Sequence, residues 1–217
     1  VPSAPLAIGI ALEPRLERRG EYLADARAFE AAGADSLWLG GSEDPWLLAA
    51  AAAAVTARVR LVVSATADDV HAPAGLARRA GTLLRLAPGR LAIACAAEVA
   101  AAIRAVAKCP VFHAAAEAAA APAAGADGVV VAAANGLGSE QGPVAQCQVN
   151  RSPAFAAHAI WVRAEAPADR AGWRALLARC RLAGAAGLVV REDPRLLDML
   201  RNPDCDDDRS DLALAQG

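Results

Sequence analysis

His113 closes the apolar run Val111-Phe112-His113. A histidine at the C-terminal end of a strand serves as a general base when its pKa lies near neutrality. The alternative is an imidazole packed in the core on one backbone partner. Cys95 ends the run Leu91-Ala92-Ile93-Ala94-Cys95, either as a reactive thiol or, with no base identifiable nearby, as a buried small hydrophobe. Gly136, Gly138 and Ser139 form a Gly-x-Gly-Ser loop that would hold an anion on its N–H groups or serve only as a connection. Arg163 with Glu165, and Arg191 with Glu192 and Asp193, follow two later runs. Each arginine has two readings, an anion ligand or a rim salt bridge. Asp68-Asp69 would accept a proton or a cation, or stand solvated on a loop. His71 is read as structural, and His158 as opening a strand at the face away from any strand-end site.

The spacing also excludes chemistries. No H-x-H or H-E-x-x-H pattern occurs, so a metallohydrolase centre is not expected. Lys108 is the only lysine and precedes a strand, which argues against a Schiff-base aldolase. The acids from Asp204 to Asp211 lack the glycine of a calcium loop and read as a solvated tail. With 22 basic and 24 acidic residues, net charge −2, the chain is no basic nucleic-acid binder and has no polybasic membrane patch. Its 217 residues are 56 % hydrophobic but only 4 % aromatic, so Ala, Leu and Val carry a globular core. The longest apolar stretch, Trp46 to Val55, is too short to cross a bilayer, and the N-terminus shows no secretory signal. The five cysteines are scattered, with no C-x-x-C pair, which points to the reducing cytoplasm.

These residues need elements to position them. Eight short apolar runs begin near Ala7, Ser36, Arg60, Leu91, Val111, Gly128, His158 and Gly187. Several are continuously apolar, as parallel strands covered on both faces must be. Between them fall helical patterns at Tyr22 to Ala32, Pro45 to Thr56, Pro73 to Ala87, Ala97 to Ala107, Ala115 to Ala124, Asp169 to Leu182 and Pro194 to Arg201. Proline opens three of these helices, and Gly33 and Gly184 close two. Eightfold alternation predicts a (β/α)8 TIM barrel over residues 1–201, followed by an acidic tail over 202–217. A doubly wound open sheet also satisfies the alternation. Pro122 predicts a kinked or broken fifth helix, and the stretch from Ala132 to Ala157 predicts an irregular sixth. The helix at 45–56 has no polar stripe from Trp46 to Val55, so a homodimer through this helix is expected.

The first ninety-odd residues resemble the bacterial luciferase-like monooxygenase family of flavin- and deazaflavin-dependent oxidoreductases. The resemblance is carried by Ala26 to Leu39, Asp44-Pro45-Trp46-Leu47-Leu48-Ala49, Ala57-Arg58-Val59-Arg60-Leu61, His71-Ala72-Pro73 and Leu83 to Leu91. Weaker echoes follow at Cys109 to Phe112, Gly125 to Val131 and Ala183 to Val190. It implies a compact barrel lacking material between the fourth and fifth strands, with FMN or a deazaflavin across its C-terminal mouth. An oxidoreductase on this barrel would line the ring site with Ser64, Thr66 and Cys95, use the strand-end His113 as base and set the Gly136-Gly138-Ser139 loop near the phosphate. Three family features are replaced. Gly40-Gly41-Ser42-Glu43 stands where a histidine is common, Ala94-Cys95-Ala96-Ala97 where glycines are, and His113-Ala114-Ala115-Ala116-Glu117 where a phosphate-binding turn is. Two functions therefore follow: an oxidoreductase acting on a small molecule, or a non-catalytic binding protein or partner subunit of an active paralogue.

Overall fold

A computed structural model describes residues 5–14, 19–115, 126–132 and 159–203 of the chain. Eight strands, β1 (Ala7–Leu12), β2 (Ser36–Leu39), β3 (Arg60–Ser64), β4 (Leu91–Ala96), β5 (Val111–Ala115), β6 (Gly128–Ala132), β7 (Ala159–Ala164) and β8 (Gly187–Arg191), pair in parallel in sequence order. β8 returns to β1, with Ala7 opposite Gly187 and Ala11 opposite Arg191, so the sheet is a closed barrel. The open-sheet alternative is thereby excluded. The helices among the described residues are α1 (Arg19–Ala32), α2 (Pro45–Val55), α3 (Ala67–His71), α4 (Pro73–Leu86), α5 (Ala100–Val106), α6 (Arg170–Leu182) and α7 (Arg195–Arg201). A 3-10 turn, Ala97–Val99, leads into α5, so β4 reaches β5 through one short helical connection. The expected fifth helix with Pro122, the irregular stretch after β6, His158 and the acidic tail beyond 203 lie outside the described residues.

Local chemistry explains the helix limits. The Asp44 carboxylate accepts from Trp46 N (2.8 Å) and Leu47 N (3.4 Å), with Pro45 opening α2. Asp169 caps α6 through Gly172 N at 2.7 Å. Gly33 (φ 99°) and Gly184 (φ 72°) end α1 and α6 in the left-handed region, where a side chain is strained. Helical spacing then buries one stripe per helix: Tyr22, Ala26 and Phe29 in α1, and Trp173, Leu176, Leu177 and Cys180 in α6.

The bottom of the barrel is pinned by carboxylates placed after turns. Asp35 accepts from Ile8 N at 2.7 Å, and Asp127 accepts from Val111 N at 2.8 Å, each fixing the start of the preceding strand. Asp127 also pairs with Arg104, whose guanidinium reaches Cys109 O. Such a rigid base leaves the opposite, C-terminal rim as the place for variable chemistry.

Two apolar clusters result. The larger lies between sheet and helices, and the smaller fills the barrel with Trp38, Phe112 and Trp161 among aliphatic residues such as Val62, Val130 and Val189. The three rings stand 5.5 to 5.9 Å apart in tilted or edge-on contacts. Glycines make room for them. A Cβ on Gly187 would lie 2.4 Å from Trp161, one on Gly9 2.4 Å from the Trp38 indole nitrogen, and one on Gly128 2.6 Å from Phe112.

Candidate functional site

Above the ring layer, at the ends of the strands, opens a cavity of about 360 Å³. Trp38 is its aromatic surface, and the Trp38 indole N–H donates to Ser36 Oγ at 3.0 Å, which fixes the ring. Small side chains wall the β4 and β5 side: Ala94, Ala96 and Ala114. Gly40 and Gly41 line the end of β2. A Cβ on Gly40 would fall 2.8 Å from Ser64 Oγ, so glycine there keeps both the space and the hydroxyl. Among the described residues charge lines the cavity at the rim, through Glu13 after β1, Arg163 on β7 and Arg191 on β8. Glu192 braces this rim by accepting from Glu13 N at 3.2 Å.

The site residues expected from the sequence separate into those at the cavity and those outside it. Ser64 lines the cavity and is partly buried. Thr66 does not line it. It begins α3, donating to Asp69 Oδ2 from its amide (2.9 Å) and hydroxyl (3.3 Å). Cys95 borders the cavity, but alternation along β4 turns its thiol to the helix side, where it donates to Phe112 O at 3.6 Å. Burial, with a smaller contribution from Glu98, pushes the Cys95 thiol up to about 11, so it is a protonated, packed group at neutral pH.

His113 does not face the mouth either. Its neighbour Phe112 points into the barrel, so His113, one residue on and opposite Cys95, points outward and is 1 % exposed. The expected general base is thus separated from the cavity by its own strand. Gly136, Gly138 and Ser139 lie outside the described residues.

Asp69 corrects a second expectation. The pair Asp68-Asp69 is not a solvated loop: it lies in α3, and Asp69 is 6 % exposed while Asp68 faces solvent. Its carboxylate meets Arg79 at 2.7 Å and Trp46 Nε1 at 3.2 Å, and Arg79 in turn covers the Trp46 ring. α3 is thereby fastened to α2 and α4, which holds the end of β3 and the Ser64-Ala65 wall. His71 ends α3 and is exposed. Among the described residues no group of three metal-ligating side chains occurs.

The site residues that sequence reasoning missed include Glu13, Trp38 and Gly40. The signal for the ring layer was present as strand glycines on chains that pair beside tryptophan or phenylalanine, such as Gly187 opposite Trp161 and Gly128 opposite Phe112.

A closed eight-stranded barrel with its cavity at the strand C-termini defines the (β/α)8 class. Residues 8–107, from β1 through α5, match the luciferase-like monooxygenase family, so the resemblance seen in the sequence holds over the part of the chain that supplies most of the cavity wall. No curated protein matches the chain. Among solved structures, the coenzyme F420 dependent tetrahydromethanopterin reductase from Methanopyrus kandleri is similar at 13 % identity and TM-score 0.67, over 93 % of this chain and 98 % of that one. Monooxygenase RslO1 from Streptomyces bottropensis is similar at 19 % identity and TM-score 0.56, over 82 % and 77 %. A tryptophan synthase from M. tuberculosis also superposes, at 15 % identity and TM-score 0.60 over 92 % of each chain. Likeness this distant reports the barrel alone, since one barrel hosts many chemistries.

Proposed function

We propose that the protein is a luciferase-like oxidoreductase of monooxygenase type, binding FMN or a deazaflavin at the C-terminal mouth and acting there on a small molecule. The observation that carries this reading is the cavity itself. It is walled by Gly40, Ser64, Ala94 and Ala96 over Trp38, and all but the last strands of that wall lie in the segment that matches the family. A Cβ at position 40 would fall 2.8 Å from Ser64 Oγ, so glycine there keeps that side of the cavity open, and Ala94 and Ala96 add no more than methyl groups on the β4 side.

When bound, such a ring supplies the hydride or electron pair for the reaction. The chain's own part is to orient and to exclude water. Trp38 and the alanines present an apolar face, and Ser64 Oγ offers a hydrogen bond at its edge. Among the described residues Glu13 and Ser64 are the lining groups able to take up or pass on a proton, a role that His113 does not fill from the outer face. We also place the protein in the cytoplasm, which suits the buried reduced thiols of Cys95 and Cys109. No helix among the described residues is long and apolar enough to cross a membrane.

Titration with riboflavin phosphate and with a deazaflavin, followed by visible absorbance and tryptophan fluorescence, tests the reading. At least one cofactor should bind, and Gly40→Val should weaken it at least about tenfold by filling the cradle. If neither binds at high concentration, the oxidoreductase reading falls and the alternative, a binding protein or partner subunit, replaces it.

A further inference from the structure

The cavity has one charged side. Arg163 and Arg191 stand on the adjacent strands β7 and β8, and Arg163 pairs in register with Val189. Arg191 is two residues beyond Val189 on the same face, so the two arginines are diagonal neighbours, about 7–8 Å apart at their origins and within joint reach of one group. Both line the cavity. Arg191 has Glu165 at 4.0 Å, with side chains 64 % and 76 % exposed, a separation at which an ion pair contributes little. Among the described residues no carboxylate lies within ion-pair distance of Arg163. Glu13, after β1, is the other charged residue that lines the cavity among the described residues, so the two guanidiniums concentrate positive charge on the β7–β8 side.

We propose that Arg163 and Arg191 hold the acid group of the substrate, which makes the substrate class a small organic monoacid with an apolar body. Guanidinium forks match the two oxygens of a carboxylate, and two forks from adjacent strands fix its direction as well as its charge. The rest of the cavity is the complement of that head: Trp38, Ala94, Val130 and Val189 offer apolar surface and no charge. With the acid group on the β7–β8 side, the hydrocarbon body extends across Trp38 toward Gly40 and Ser64. This assignment rests on the mouth being the ligand site proposed above, and it gives that site a direction.

Benzoate and its neutral isostere benzamide are suitable probes, titrated by calorimetry. Benzoate should bind at least about tenfold more tightly than benzamide, and Arg163→Gln and Arg191→Gln should each remove about tenfold of benzoate affinity while leaving benzamide unchanged. Both side chains are exposed, so the folded barrel should tolerate either substitution. Arg163→Lys should recover part of the loss. Equal affinity for the two probes, no benzoate binding, or wild-type benzoate affinity in both glutamine variants would overturn the proposal. The same variants titrated with riboflavin and riboflavin phosphate separate the cofactor from the substrate. A loss confined to riboflavin phosphate would move the pair to the cofactor's phosphate and also overturn it. Selective benzoate binding in a protein that binds no flavin would sustain the clamp and remove the oxidoreductase reading instead.

Discussion

Glu30 illustrates what a single carboxylate does in this barrel. Reaching from α1, it accepts from three successive amides, Ala57 N (2.9 Å), Arg58 N (2.6 Å) and Val59 N (2.8 Å), and so fixes the turn that feeds β3. Burial works against its ionisation, but the bonds from Val59, Arg58 and Ala57, with the Arg58 charge, outweigh this and hold its carboxyl below the ordinary 4.5. A carboxylate with a lowered folded pKa stabilises fully above its unfolded value and loses that contribution as pH falls through the folded one. Glu30→Gln should therefore cost about 1–3 kcal/mol at pH 7. The gap between variant and wild type should narrow as the pH drops below 4.5. Urea midpoints at pH 7 and pH 3 measure this, and an unchanged gap would refute the charge-assisted account. None of it was legible in the sequence. Glu30 stands in the stretch that carries the family resemblance, yet its partners lie 27 to 29 residues away and contribute backbone only.

At the scale of elements, the strand starts were legible because parallel strands covered on both faces show as unbroken apolar runs between turn signals. That same property hid which way each side chain points. With apolar residues on both faces there is no alternation to read, so the sides taken by Cys95 and His113 emerge only from register with Phe112 and its ring partners. α3 was missed because five residues are too few to show a helical period. The ring layer supplies the sharper test. Gly187→Ala would bring a methyl within 2.4 to 2.6 Å of three Trp161 ring atoms in the barrel interior. It should destabilise by about 1–3 kcal/mol or more. Trp161→Phe should recover part of that loss when combined with it, because the two sites are in contact and cannot be additive. Denaturant midpoints of the two single variants and the double variant decide the matter. Simple additivity would show that the clash is relieved elsewhere.

For the whole molecule, closure of the barrel separates two surfaces of α2. Trp46, Leu48, Ala49, Ala52 and Ala53 pack inward against the protein's own core. On the other side Leu47, Ala51 and Ala54 recur at helical spacing, with Leu47 70 % exposed and no charged residue in the helix. A solvent-facing helix without a polar stripe is incomplete, and its alanines would let a second helix approach closely. The proposal is accordingly a homodimer in which α2 meets its symmetry mate, leaving the ligand mouth free because the mouth is formed by the strand ends and not by α2. In a two-fold interface Leu47 is buried twice, each burial contributing about 1.5–3 kcal/mol. Leu47→Glu replaces that with two facing carboxylates, so dimer association should weaken by at least about a hundredfold. Sedimentation velocity should show a dimer for the natural sequence and a monomer for the variant, with ligand binding at the mouth retained in both. A natural chain that sediments as a monomer throughout, or a variant that remains dimeric, would place the covering of α2 elsewhere.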